Sequence, residues 1–213
     1  MKTPAFNCDI EVYTLADESP LFRAAELDAA GIVALADALP HVTDNVYVAS
    51  DPALEALPAV RKAEREVFAE FPVQAGWCYG SGKKMNGVEW HKSSEVVVAG
   101  TDCVLVLGDV RDIEDDVYDS SRAVALFLKR GEAAELFAGT LHLAPLGVGE
   151  RFAAAIILPR GTNAPLAGGI DGTLRAVNKW LLVHPDNEKG IRAGGKIGVK
   201  GVNIAVISDY EDK

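Results

Sequence analysis

Two short stretches hold the side chains best suited to chemistry. The first is Gly87-Val88-Glu89-Trp90-His91-Lys92-Ser93-Ser94-Glu95, and the second is Glu135-Leu136-Phe137-Ala138-Gly139-Thr140-Leu141-His142. Glu89, His91 and Glu95 stand at i, i+2 and i+6. On an extended strand, even separations share a face. The three can therefore enter one cavity if the strand continues, or if it turns once between His91 and Glu95. Glu135 and His142 flank a tight Ala-Gly-Thr turn. Two imidazoles and two or three carboxylates facing one interior would hold a divalent first-row metal ion. The candidate ligands are His91, Glu95, Glu135 and His142. Glu89 is either a further ligand or a base beside the metal.

These stretches resemble the two metal-binding motifs of the cupin superfamily. The first motif there is His-x-His followed by Glu, and the second ends in Gly-x-x-His. Glu89-Trp90-His91 sits where the His-x-His pair would be, with Glu in the first ligand position. Glu95 matches the motif's Glu, and Gly139-Thr140-Leu141-His142 matches Gly-x-x-His. The Gly100-Thr101-Asp102 turn falls two residues early. The chain is similar to an uncharacterised bacterial cupin-like family and, more distantly, to ureidoglycolate lyase-type and sugar-isomerase cupins. The resemblance covers residues 70–160 and implies a mainly β fold, a cupin-type β-barrel or jelly roll, and a bound metal. It also implies a homodimer built through barrel edges, since arms at both ends could cover exposed strands.

A mixed His and carboxylate set suits Zn, Mn, Fe, Ni or Co over Cu(I), which prefers sulfur. A metal with open positions binds neighbouring hydroxyl and carbonyl oxygens and acidifies the C–H between them. A carboxylate beside it can shuttle the proton, and Glu89 or Glu135 is the catalytic candidate. The resulting expectation is a metal-dependent enzyme for a small polar carbohydrate or hydroxy/keto acid, working as isomerase, epimerase or lyase through an enediolate. A non-catalytic sugar- or metabolite-binding cupin and a cupin dioxygenase are the alternatives. Lys92, Arg160 and Asn163 are candidate substrate contacts, with Tyr79 and Trp77 lining the pocket; surface and core roles remain open for all five.

Stepping outward from the site, three segments would position it. An N-terminal α/β arm (1–72) carries a strand near Asp9–Thr14 and a helix over Ala29–Leu39 capped by Asp28. It ends in one helix running from Asp51-Pro52 to Pro72, with Leu54, Leu57, Val60, Val67, Phe68 and Phe71 at helical spacing. From Val73 to residue 160, short apolar runs alternate with Gly, Asp and Pro turns, which reads as the barrel core. A C-terminal extension (161–213) completes the sheet, all within a single domain. The acidic run Asp109–Tyr118 lacks the Gly and terminal Glu of a calcium loop, and Gly194-Gly195-Lys196 lacks P-loop spacing.

The chain has 213 residues, 49% hydrophobic and 24% charged, with net charge −10. That length can bury a sizeable core. The acidic balance argues against nucleic-acid binding, which needs a positive field. Cys8, Cys78 and Cys103 are an odd set without a Cys-x-x-Cys, as in a reducing compartment. No run is long enough to span a bilayer. The expectation is a cytoplasmic protein with a small-molecule polar substrate and no membrane partner.

Overall fold

The computed structural model describes residues 3–169 and 172–211. The expected mainly β fold is what it shows, as two sheets packed face to face. The first sheet has six strands in the order Phe22–Ala24, Ala133–Leu136, Glu95–Ala99, Phe152–Pro159, Val73–Gly80 and Val46–Val48, all antiparallel. The second sheet centres on Cys103–Asp109, which pairs with Val124–Leu128, Thr140–Leu141 and Leu146–Gly147. A third group, Leu174–Ala176, Lys179–Val183, Lys196–Ile197 and Gly87–Trp90, joins that face through one antiparallel bridge between Glu89 and His142.

Strand period sorts the side chains into three cores. In Glu95–Ala99, Val97 and Ala99 point between the sheets, toward Leu105, Leu107, Leu126 and Leu128. Val96 and Val98 point outward, where Ile32, Ala36, Val60 and Ala63 of the helices cover them. The outer face of the second sheet, with Val104, Val106 and Phe127, lies under Met85, Leu182, Ile204 and Val206. The central strands are therefore buried on both faces, and read as continuous apolar runs rather than alternations.

Two N-terminal expectations change. The helix is Ala30–Asp37 rather than Ala29–Leu39, with Ala29 instead of Asp28 at its N-cap, although Asp28 accepts from the Ala30 amide at 3.1 Å. The expected helix from Asp51 to Pro72 is two, Pro52–Glu55 and Pro58–Glu66. Pro58 explains the break: it lacks an N–H, and it drives Leu57 to an extended ψ of 141°. Asp51 caps the first piece as expected, accepting from the Ala53 amide at 2.8 Å. All three cysteines are free thiols, with Cys78 and Cys103 buried. No helix among the described residues is long and apolar enough to cross a membrane.

Candidate metal centre

Backbone pairing brings the two motif stretches together. The Glu89 amide donates to the His142 carbonyl at 2.5 Å, and the His142 amide returns the bond to Glu89 at 2.9 Å. The Gly139 amide donates to the His91 carbonyl at 2.9 Å. Gly139 turns at φ 84°, and a Cβ there would press on Val110 Cγ1 at 3.0 Å, so the turn feeding His142 requires glycine.

Glu89 and His91 share the inward face of their stretch, while Val88 and Trp90 enter the outer core. The chain then turns through Lys92–Ser94, and Glu95 opens a strand of the facing sheet, on the same side as Val97. Glu89, His91 and His142 place potential ligand atoms within 4.8 Å of one another. Glu95 Oε2 lies 3.3 Å from Nε2 of both His91 and His142. The ring centroids are 5.3 Å apart. His91, Glu95 and His142 are each no more than 5% exposed.

The tautomers follow from the partners. His91 Nδ1 meets the Asn178 carbonyl at 2.6 Å, and His142 Nδ1 meets the Thr140 carbonyl at 2.8 Å. A carbonyl only accepts, so both Nδ1 atoms donate and both Nε2 lone pairs face the cluster. His91 Nε2 has no hydrogen-bond partner. Two nitrogen lone pairs converging on one carboxylate oxygen call for a positive centre between them. A divalent cation fits this donor set of borderline nitrogen and hard oxygen. With the protein's own groups alone, a proton takes that place. Burial would lower the His142 pKa, but the Glu95 charge outweighs it and pushes it up to about 9. Burial would raise Glu95, yet the two imidazoles hold its carboxyl well below the usual range.

Lys179 forms an ion pair with Glu89 Oε2, a contact the sequence reading missed. It arrives from the strand Lys179–Val183, which pairs with Gly87–Trp90 in the register Leu181 to Glu89. Burial opposes the charge on both partners, and their mutual attraction keeps Glu89 below and Lys179 above their ordinary values. Asn178, at φ 58° in the turn before Lys179, is a second missed residue. Its side chain accepts from the Lys92 amide at 2.8 Å and donates to Ser93 Oγ at 2.9 Å and Thr162 Oγ1 at 3.1 Å. The local signal for this turn was weak, because nothing in the sequence pairs it with residues so far upstream.

A cavity of about 160 Å³ opens from the cluster. Glu89, Glu95, His142 and Lys179 form its polar end, and Cys78, Ala144, Ile156 and Leu158 line its wall. Asn163 also lines it, donating from Nδ2 to the Tyr47 hydroxyl at 2.9 Å, while its Oδ1 has no partner.

Several expected site residues lie elsewhere. Glu135 faces away from the ligand cluster. It accepts from Arg23 Nε at 2.6 Å and Ser94 Oγ at 2.8 Å. Its strand neighbours Ala134 and Leu136 take the inter-sheet side, so strand alternation excludes Glu135 from it. Trp77 and Tyr79 pack in the helix-covered core, and Trp77 Nε1 donates to Asp51 at 2.9 Å. Cys78, one residue from each, is the one that reaches the cavity. Lys92 is exposed, with its Nζ 5.7 Å from the Trp180 ring. Arg160 is exposed and pairs with Glu55 at 2.9 Å.

Residues 24–204 match the profile of a family described as "Domain of unknown function (DUF4867)". No curated protein matches the sequence. Among solved structures, EvdO2 from Micromonospora carbonacea var. aurantiaca, complexed with 2-oxoglutarate, is similar at 15% identity over 55% of this chain and 66% of its own, with TM-score 0.38. RmlC from Streptococcus suis, in complex with dTDP-D-xylose, is similar at 12% identity over 43% of this chain and 45% of its own, with TM-score 0.32. Oxalate decarboxylase from Bacillus subtilis, described with Mn(II) centers, is similar at 12% identity over 45% of this chain and 24% of its own, with TM-score 0.30. The chain thus spans less than two thirds of each of these proteins.

Proposed function

The chain belongs to the DUF4867 family, and for it we propose a metal-dependent enzyme of cupin type acting on a small carbohydrate or hydroxy/keto acid. The observation that carries the reading is the pair of Nε2 lone pairs, each fixed by an Nδ1–H bond to a backbone carbonyl, that meet Glu95 Oε2 at 3.3 Å. Carbonyl partners of this kind fix ring orientation in metal-ligating histidines. His91, Glu95 and His142 would hold the ion, with Glu89 beside them. When bound, a divalent cation supplies polarisation of a carbonyl and a neighbouring hydroxyl.

The remaining chemistry falls to Glu89 and Lys179. Lys179 keeps Glu89 ionised, and Glu89 Oε1 lies on the His91 side, 3.8 Å from Nε2. A substrate C–H adjacent to its carbonyl gives its proton to Oε1, and the C–H electron pair forms the C=C of an enediolate as the carbonyl π pair moves onto its oxygen. In isomerisation the neighbouring hydroxyl proton passes to that oxygen while Oε1 returns its proton to the former carbonyl carbon. The apolar wall of Ile156 and Leu158 offers the enediolate no proton donor on that side.

A second reading draws on the same ligands. His91, His142 and Glu95 make a two-histidine, one-carboxylate set, which suits a non-haem Fe(II) oxygenase. Metal analysis of the purified protein comes first, and a metal-free protein that takes up none of Zn, Mn, Fe, Ni or Co overturns both readings. Solvent deuterium entering a ketose or hydroxy/keto acid supports proton transfer. Oxygen consumption with the iron-loaded protein supports the second reading, and tight ligand retention without either points to a binder.

A further inference from the structure

The proposed function leaves two substrate classes open, and the cavity discriminates between them. We infer that its ligand is a short-chain aliphatic 2-hydroxy or 2-keto monocarboxylate, rather than a polyhydroxylated sugar or a phosphate ester. This rests on the metal-site reading above and goes one step further, to what the rest of the cavity accepts.

Three observations converge. The first is charge. Glu89 and Lys179 neutralise each other, so with both imidazoles neutral, as ligands must be, Glu95 carries the remaining charge at the polar end. A divalent ion turns that −1 into +1. Uncompensated buried charge is costly, so a monoanion closes the balance. Among the described residues lining the cavity, Lys179 is the one cation, and it is already paired. A phosphate dianion would overshoot and find no second cation.

The second observation is the wall. Beyond the polar end, the lining is Cys78, Ala144, Pro145, Ile156 and Leu158. Leu158 and Ile156 are buried and offer no polar atom to a ligand there. A sugar would set hydroxyls against these side chains, and each hydroxyl buried there without a partner weakens binding. An alkyl tail instead gains from every methylene buried. The other polar side chains of the lining are Asn45, Tyr47 and Asn163; the Tyr47 hydroxyl already accepts from Asn163 Nδ2 at 2.9 Å, and Asn163 Oδ1 is the one without a partner.

The third observation is size. A cavity of about 160 Å³ far exceeds the ~15 Å³ that one water needs on the same measure. That is room for a chelating head and a short tail, and because the cavity is open on one side a larger ligand would leave its remainder in solvent.

The test uses the intact protein loaded with Mn²⁺ and two probes matched in charge and heavy-atom count. 2-Hydroxypentanoate and 2,4-dihydroxybutanoate share the carboxylate and the 2-hydroxyl, and differ by a terminal methyl against a hydroxyl. Binding is read by calorimetry and by relaxation of Mn²⁺-bound water, with D-xylose and 3-phosphoglycerate as further probes. The expected result is that 2-hydroxypentanoate binds about tenfold more tightly than its dihydroxy counterpart, the ratio set by ~1.4 kcal/mol for one unpaired hydroxyl, and more tightly than the sugar or the phosphate ester. Equal or reversed preference, or no binding of either acid to the Mn²⁺-loaded protein, overturns the inference while leaving the metal site intact. Failure to take up Mn²⁺ or any other divalent ion removes the underlying metal reading, and the inference with it.

Discussion

His91 Nδ1 donates to the backbone carbonyl of Asn178 at 2.6 Å, so a residue of the C-terminal hairpin sets the tautomer of a ligand in the first motif. The side chain of Asn178 makes three more hydrogen bonds to the same neighbourhood, which anchors that carbonyl. The hairpin also delivers Lys179 to Glu89. The site is therefore completed from outside the motif-bearing region.

Asn178→Ala removes the three side-chain bonds and also strains a left-handed position. Asn178→Gly keeps the φ of 58° accessible and removes only the bonds. Both variants are expected to lose about 10–100-fold in metal affinity, the usual cost of an outer partner, with Asn178→Gly the more stable fold. A competition titration against a chelator with Co²⁺, read by its visible absorption, measures this. Unchanged affinity in both would remove Asn178 from any positioning role.

His91→Ala and His142→Ala delete ligands rather than their supports. Each is expected to strip the metal more completely than the Asn178 variants while leaving a folded β protein, as judged by metal content per chain and far-UV circular dichroism. Full metal content in both variants would contradict the centre.

Glu135→Gln separates the ligand cluster from its neighbourhood. Glu135 belongs to Arg23 and Ser94, and Arg23 is largely exposed, so the substitution is expected to cost about 1 kcal/mol of stability and spare metal binding. Denaturant titration and metal analysis on one preparation check both halves. Metal loss comparable to that in His142→Ala would return Glu135 to the ligand set.

Glu89 and Lys179 form a coupled pair. Lys179→Met leaves Glu89 unpaired, and Glu89→Gln does the same to Lys179. Each single variant is expected to be destabilised by up to about 3 kcal/mol, with the double variant recovering part of the loss. Glu89→Gln is also expected to keep its metal but lose proton exchange into substrate. Additive stability losses would show that the two side chains do not act together, and retained exchange would move the base elsewhere.

The sequence alone carried the β texture from Val73 onward, the inward pairing of Glu89 with His91, and the glycine turn before His142. These are local properties: alternation along a strand and the φ demanded of Gly139 need no distant partner. The tertiary structure alone decided the rest. Central strands buried on both faces leave no polar side to set their parity, so Trp77, Tyr79 and Glu135 could not be told from Cys78 as cavity residues until the sheets were stacked. Asn178 and Lys179 are separated from His91 and Glu89 by some ninety positions of chain. Only the antiparallel register of Lys179–Val183 on Gly87–Trp90 brings them together, and such pairing depends on the whole fold closing.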